Sequence, residues 1–372
     1  MSLAIALNPA LKNLPVYLPG RPIAEVAREL GLEPESIIKL ASNENSMGPS
    51  PLAVKAMQEA LTSLHQYPDG NAFYLKERLS RKMGVPTDQL VLGNGSNEIL
   101  ELIGHAVLGP GDEVVVSQYS FAVYPIVTQL FGARLVTVAA RDYGHDLPAM
   151  IKAVTPRTRI LFVANPNNPT GTLASRAEVL QLIHEVPSSV LVVLDEAYID
   201  YLEDAPDFLP YVRSERHSNL LLCRTFSKIY GLAGLRLGYA MGHPEMIAGL
   251  EKIRQPFNTN MVAQVGALAA LDDVAHIEKT RENNRAGLAF YENGFKCLKL
   301  EYVPSFANFI LVRVGDGQKF AGELQKLGII TRPVNNYQLP EWLRITVGTA
   351  AENARCLAAL EKVLSVTRES AS

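Results

Sequence analysis

Cysteine is scarce in this chain: Cys223, Cys297 and Cys356 are the only three in 372 residues. They are odd in number and far apart, which excludes a disulfide framework and fits a reduced protein with buried thiols. The seven histidines are scattered and none stands with a cysteine at metal-ligand spacing, so no metal is expected. Neither sign of charge dominates: 35 Lys and Arg face 38 Asp and Glu, with no basic run and no acidic tail. That leaves no electrostatic footing for nucleic acid or an anionic membrane. The start, Met1 to Pro9, carries a short apolar stretch without a basic flank, which is neither a secretory signal nor a membrane span. A cytoplasmic protein is expected.

What is present is a long chain of ordinary globular composition, enough for about two domains. Proline and glycine gather near the start, in Leu11 to Pro22, which reads as an extended arm within residues 1–30. Short apolar, β-branched runs follow: Gln89–Leu92, Glu113–Ser117, Ala133–Val138, Arg159–Asn165, Val190–Glu196, Asn219–Arg224 and Leu235–Met241. They do not alternate with polar residues, as expected of strands covered on both faces. Helical patterns lie between them, among them Asn97–Leu108, Ala122–Phe131 and Ser175–Val186. The alternation predicts an α/β fold, a mostly parallel central sheet flanked by helices, over residues 31–255. After Pro256 the rhythm changes to a helical stretch (Asn260–Asn293), strand candidates at Asn308–Val314, Ile329–Arg332 and Leu343–Val347, and a last helix from about Ala351 to Val366. Residues 256–372 therefore read as a smaller α+β domain, with a frayed tail from Arg368.

Four segments follow predicted strands, where open α/β sheets place their ligands. Gly93 to Glu98 (GNGSNE) offers glycines and a helix start suited to an anion, or else an ordinary turn with Ser96 as N-cap. Asn165 to Gly171 (NPNNPTG) is a rigid turn able to hold Asn168 against a polar atom, or simply a loop rich in turn formers. Asp195 ends a strand of hydrocarbon, where a carboxylate is costly unless it meets a cation, and Tyr198 lies three residues on. Arg224 to Gly238 (RTFSKIYGLAGLRLG) holds Ser227, Lys228 and Arg236; a lysine in such apolar surroundings loses its proton readily and becomes a nucleophile. Each segment alone admits a structural reading. Together they match pyridoxal 5'-phosphate group by group: phosphate, pyridine nitrogen, phenolic oxygen and aldehyde.

The same segments, in the same order, resemble the fold-type-I pyridoxal-phosphate-dependent aminotransferases. Pro19–Pro22, LASNENSMGPSP (Leu40–Pro51), YPDG (Tyr67–Gly70) and LRITVGT (Leu343–Thr349) extend the likeness over nearly the whole chain and are similar to its histidinol-phosphate branch. The resemblance implies a cofactor carried on Lys228, with Asp195 against its ring nitrogen and Asn168 and Tyr198 on its phenolic oxygen. It implies phosphate contacts from Ser96, Asn97, Ser227 and Arg236, stacking by Phe121, and a contact from Tyr67 to the neighbouring subunit's phosphate in a homodimer. Arg344 would clamp a substrate carboxylate, with Arg332, Tyr17 and Asn45 at the substrate's far end. The reaction implied is transamination between L-histidinol phosphate and 2-oxoglutarate, in histidine biosynthesis. An aromatic or broad-specificity aminotransferase, a decarboxylase of this fold, and a non-catalytic pyridoxal-phosphate-binding protein are the alternatives. Ser46 and Tyr119 stand where the family usually has proline, near the expected substrate position.

Overall fold

The structure is a computed structural model and describes residues 5, 7–14, 16 and 20–369. Among the described residues thirteen strands form three sheets. The small first strand, β1 (Ile38–Lys39), is followed by seven that build the main sheet: β2 (Leu90–Gly93), β3 (Glu113–Ser117), β4 (Arg134–Val138), β5 (Thr158–Ala164), β6 (Leu191–Asp195), β7 (Leu220–Thr225) and β8 (Gly238–Met241). Their order is β2-β8-β7-β6-β5-β3-β4. Only β8 runs against the rest, pairing antiparallel with both β2 and β7. All but β4 are almost wholly buried, which is why the middles of these strands are hydrocarbon, polar residues such as Glu113 and Asp195 falling at their ends. β4, at one edge, departs from that pattern, with Arg134 and Thr137 exposed, whereas β2 at the opposite edge is fully buried.

The remaining strands are β9 (Tyr302–Val303), β10 (Phe309–Arg313), β11 (Ile329–Ile330), β12 (Arg332–Val334) and β13 (Leu339–Thr346). Four of them make an antiparallel sheet in the order β12-β13-β10-β9, while β11 pairs in parallel with β1. Residues from near the start of the chain thus belong to the second sheet system, and Leu40 lies in its core.

Three expectations need correction. The segment read as an arm to residue 30 is helical over Ile23–Leu30, with Val26 and Ala27 buried. The stretch Asn260–Asn293 is two helices, Met261–Ala270 and Val274–Leu298, because Asp273 turns from helix interior to N-cap and accepts from the His276 N–H. Ser96 is not an N-cap: the helix Ser96–Val107 starts on it, and Gly95 is the cap at φ +79°. Elsewhere helix ends follow local chemistry, as in the capping box of Ser175 and Glu178 that opens Arg176–Glu185. Of the C-terminal tail, residues 370–372 lie outside the described residues, and Arg368 and Glu369 are still helical.

Candidate active site

The carboxyl ends of β5, β6 and β7 open into a cavity of about 410 Å³, floored by Ala164, Asp195 and Thr225. Of the residues singled out from sequence, Ser96, Asn97, Phe121, Asn168, Asp195 and Tyr198 line it on one part of the wall. Ser227, Lys228, Arg236, Arg332 and Arg344 line the rest. The main sheet supplies the floor, and β12 and β13 bring the two last arginines across from the second sheet.

Lys228 sits three residues beyond β7, in a turn closed by the Gly231 N–H on the Lys228 carbonyl. Its Nζ donates to the Ser42 and Asn43 carbonyls, each at 3.3 Å, and lies 5.5 Å from the centre of the Tyr198 ring. Burial draws its pKa down to about 8, and the Arg344 charge pushes the same way; Glu44 opposes them. The amine therefore still carries its proton for the most part at pH 7, but gives it up far more readily than an ordinary lysine, and the neutral form is what a nucleophile or base requires.

Asp195 is 4 % exposed. Burial raises its pKa, and three contacts hold it back: the Tyr124 hydroxyl at 2.8 Å on Oδ2, the Ala197 N–H at 3.2 Å on Oδ1, and the Lys228 charge. Tyr198 is also buried, which pushes its phenol well above the ordinary range. Asn43 Nδ2 donates to the Tyr198 oxygen at 2.9 Å, so the phenol is oriented from the second sheet's side.

Around Ser96 the wall is built for an anion. The first N–H groups of the helix Ser96–Val107 point out of its N-terminus without helical partners. A Cβ at Gly95 would stand 2.5 Å from Arg236 Nη2, and one at Gly238 would stand 2.4 Å from the Ser96 nitrogen. Glycine at both places lets guanidinium, strand and helix end converge. Arg236 Nη1 also donates to Ser227 Oγ at 3.4 Å.

Arg344 is buried, donates to the Asn168 side-chain oxygen and to the Ala41 carbonyl, and lies over the Phe309 ring. Arg332 is its direct cross-strand neighbour. Arg332 also borders an adjoining cavity of about 680 Å³, walled by the end of β3 and the helix Gly317–Lys326.

Several sequence candidates lie elsewhere. Tyr67 is 80 % exposed and stacks on Phe257, away from this cavity. Asn45 does not line the cavity; its amide donates to the Ile229 carbonyl at 2.8 Å and its oxygen accepts from the Met47 N–H. That makes it a brace of the turn after Lys228, because its polar atoms are spent on that backbone and on the Thr280 hydroxyl. Tyr17 lies outside the described residues. Ser46 and Tyr119 do not reach the cavity either: Ser46 meets Asn283, and Tyr119 packs by Tyr143. Two residues of the site went unmarked in the sequence. Asn43 sat within the quoted LASNENSMGPSP segment. Tyr124 carried no signal of its own, since it lies inside the helix Val123–Leu130 among apolar residues. Among the described residues no group of three or more His, Cys, Asp or Glu is placed to hold a metal ion.

A half-buried lysine beside a buried aspartate, with an anion cradle, at the carboxyl edge of a mostly parallel sheet, defines a class. The chain belongs to the aminotransferase class I and II family, whose model matches residues 35–360. Within that family it is 53 % identical over 352 residues to histidinol-phosphate aminotransferase 1 of Cupriavidus pinatubonensis, covering 94 % of each chain. It is 47 % identical to histidinol-phosphate aminotransferase of Akkermansia muciniphila, covering 98 % of this chain and all of that one. Among solved structures it is similar to histidinol-phosphate aminotransferase from Sinorhizobium meliloti in complex with pyridoxal-5'-phosphate, at a TM-score of 0.87 and 27 % identity, covering 98 % and 99 % of the two chains.

Proposed function

We propose that this protein is a pyridoxal-phosphate-dependent transaminase that exchanges an amino group between L-histidinol phosphate and 2-oxoglutarate, in histidine biosynthesis. The observation that carries the reading is the gathering of Lys228, Asp195 and the pair Arg332 and Arg344 in one cavity. Half-identical curated relatives of full length bear that activity in their names.

The residues fit the cofactor. The cradle at Ser96, Asn97, Ser227 and Arg236 is a set of donors, and Gly95 and Gly238 leave it the space a phosphate needs. When bound, pyridoxal phosphate supplies an aldehyde carbon for amines and an electron-withdrawing ring that delocalises negative charge. Asp195 would hold the ring nitrogen's proton; opposite charges about 4 Å apart at an effective dielectric near 20 attract by about 4 kcal/mol. Asn168 and Tyr198 would hold the phenolic oxygen, and Phe121 would cover a ring face. Lys228 Nζ, poised to hold or release a proton near neutral pH, takes the donor's Cα proton and returns it. Arg344 and Arg332 orient the substrate's anionic end, and a guanidinium fork accepts carboxylate or phosphate alike, as two substrates used in turn demand.

The same reading makes the working unit a cytoplasmic homodimer in which Tyr67 completes a neighbour's phosphate site. An exposed aromatic group at Tyr67, Phe73 and Tyr74 supports it. Among the described residues no helix is long and apolar enough to cross a membrane.

The test is a panel of amino donors with 2-oxoglutarate, following glutamate. A kcat/KM for histidinol phosphate above that for phenylalanine is expected. The reverse order would move the assignment to an aromatic aminotransferase.

A further inference from the structure

Asp195 is the deepest charged group of the site, and one side chain outside the cavity fixes how it is presented. Tyr124 lies in the helix Val123–Leu130, fully buried, and donates its hydroxyl to Asp195 Oδ2 at 2.8 Å. Its ring stacks on Phe162 of β5, centroids 4.5 Å apart and planes within 4°, and meets the edge of Phe121 at 5.7 Å. The hydroxyl cannot swing away, because both faces of that contact are set by aromatic packing. The second oxygen, Oδ1, accepts from the Ala197 N–H. The carboxylate's tilt is thus specified by one strand end and one helix.

We propose that Tyr124 is a positioning residue: its hydroxyl aims the Asp195 carboxylate, and keeps it ionised, toward the ring nitrogen of the bound cofactor. The proposal rests on the pyridoxal-phosphate reading of the cavity. It adds that Phe121 and Asp195, on two different elements, are locked to one another through Tyr124. A carboxylate in a buried site favours its neutral form, and a hydroxyl donor is one of the few forces acting the other way. The groups facing Asp195 are Tyr124 from the helix, Cys223 opposite it on β7, and Tyr198 and Lys228 from the loops beyond β6 and β7. Cys223 is buried, its thiol pushed well up, and Tyr198 likewise holds its proton, so Lys228 is the only cation among them. Removing the Tyr124 hydroxyl leaves Asp195 with the Ala197 N–H and the Lys228 charge.

The test compares the parent with Tyr124→Phe, which keeps the ring and its stacking and removes one oxygen. Apo protein is titrated with pyridoxal phosphate by visible absorbance, and kcat, donor KM and the pH profile are measured on the loaded enzyme. The variant is expected to bind the cofactor about tenfold more weakly, from the loss of one hydrogen bond to a charged group. Its kcat should fall with donor KM within about twofold, and the acid limb of kcat should move to higher pH, since Asp195 becomes easier to protonate. Phe162→Leu, which loosens the stack and keeps the hydroxyl, should move the acid limb less than Tyr124→Phe does. Parent-like cofactor affinity and an unmoved acid limb in Tyr124→Phe would overturn the proposal. So would an equal shift in Phe162→Leu, which would make packing the cause. A parent protein that takes up no pyridoxal phosphate would instead overturn the functional reading, and this assignment with it.

Discussion

Arg332 and Arg344 stand directly opposite each other across β12 and β13, and both face the cavity that holds Lys228. Like charges in opposed positions on one face of a sheet repel. A fold that keeps two guanidinium groups in that relation gains most when an anion sits between them and the amine.

Arg344→Lys tests the geometry of that arrangement. The charge survives and the planar fork does not. Steady-state kinetics should show kcat/KM for 2-oxoglutarate lowered by at least about tenfold, which is about 1.4 kcal/mol and modest for a charged hydrogen bond. A change below twofold would mean that charge alone suffices.

Asp195→Ala tests the buried carboxylate. Removing it relieves the cost of burying a charge but leaves the buried Tyr124 hydroxyl without its acceptor, so the two effects oppose and the apo protein should still fold with a cooperative thermal transition. Turnover should fall by at least about a hundredfold, about 2.7 kcal/mol in the barrier. Activity within threefold of the parent would make Asp195 a structural residue.

How much of this could be read beforehand differs by element. The buried strands were legible because a strand covered on both faces must be hydrocarbon, and β3 begins and ends where its sequence run does. The lysine, the aspartate and the helix-start glycines were legible because each follows such a strand. The link from Tyr124 to Asp195 was not, since its partners are 71 positions apart and neither residue shows the other in its local pattern. Nor was the pairing of β1 with β11, two residues on each side, too short to leave a period. We retain a large and a small domain as our proposal for the chain. The helix Met261–Ala270 belongs by packing with the first, since Ala263 and Ala267 lie in the core of the main sheet. That favours a boundary inside Val274–Leu298 over one at Pro256.

The pKa of Lys228 makes a kinetic prediction. Cofactor capture needs the neutral amine, and its pKa of about 8 means that the neutral fraction grows as pH rises toward that value and saturates above it. The rate of pyridoxal phosphate uptake by apo protein should rise about tenfold per pH unit below about 8 and level off beyond it. Continued growth to pH 10 would place the amine at its ordinary value.

Tyr67 is exposed in the single chain, and the proposed homodimer would give it a neighbouring subunit's phosphate to meet. Mixed dimers of Tyr67→Phe and Lys228→Ala subunits should recover activity that neither parent variant shows, because one composite site is intact. Full activity from a verified monomer would rule out the shared site.

The most direct measurement is borohydride reduction of the cofactor-loaded protein, followed by peptide mapping in the mass spectrometer. The account predicts one pyridoxyl group per chain, on Lys228, and none on Lys228→Ala. A pyridoxyl group on any other lysine of the parent would contradict it.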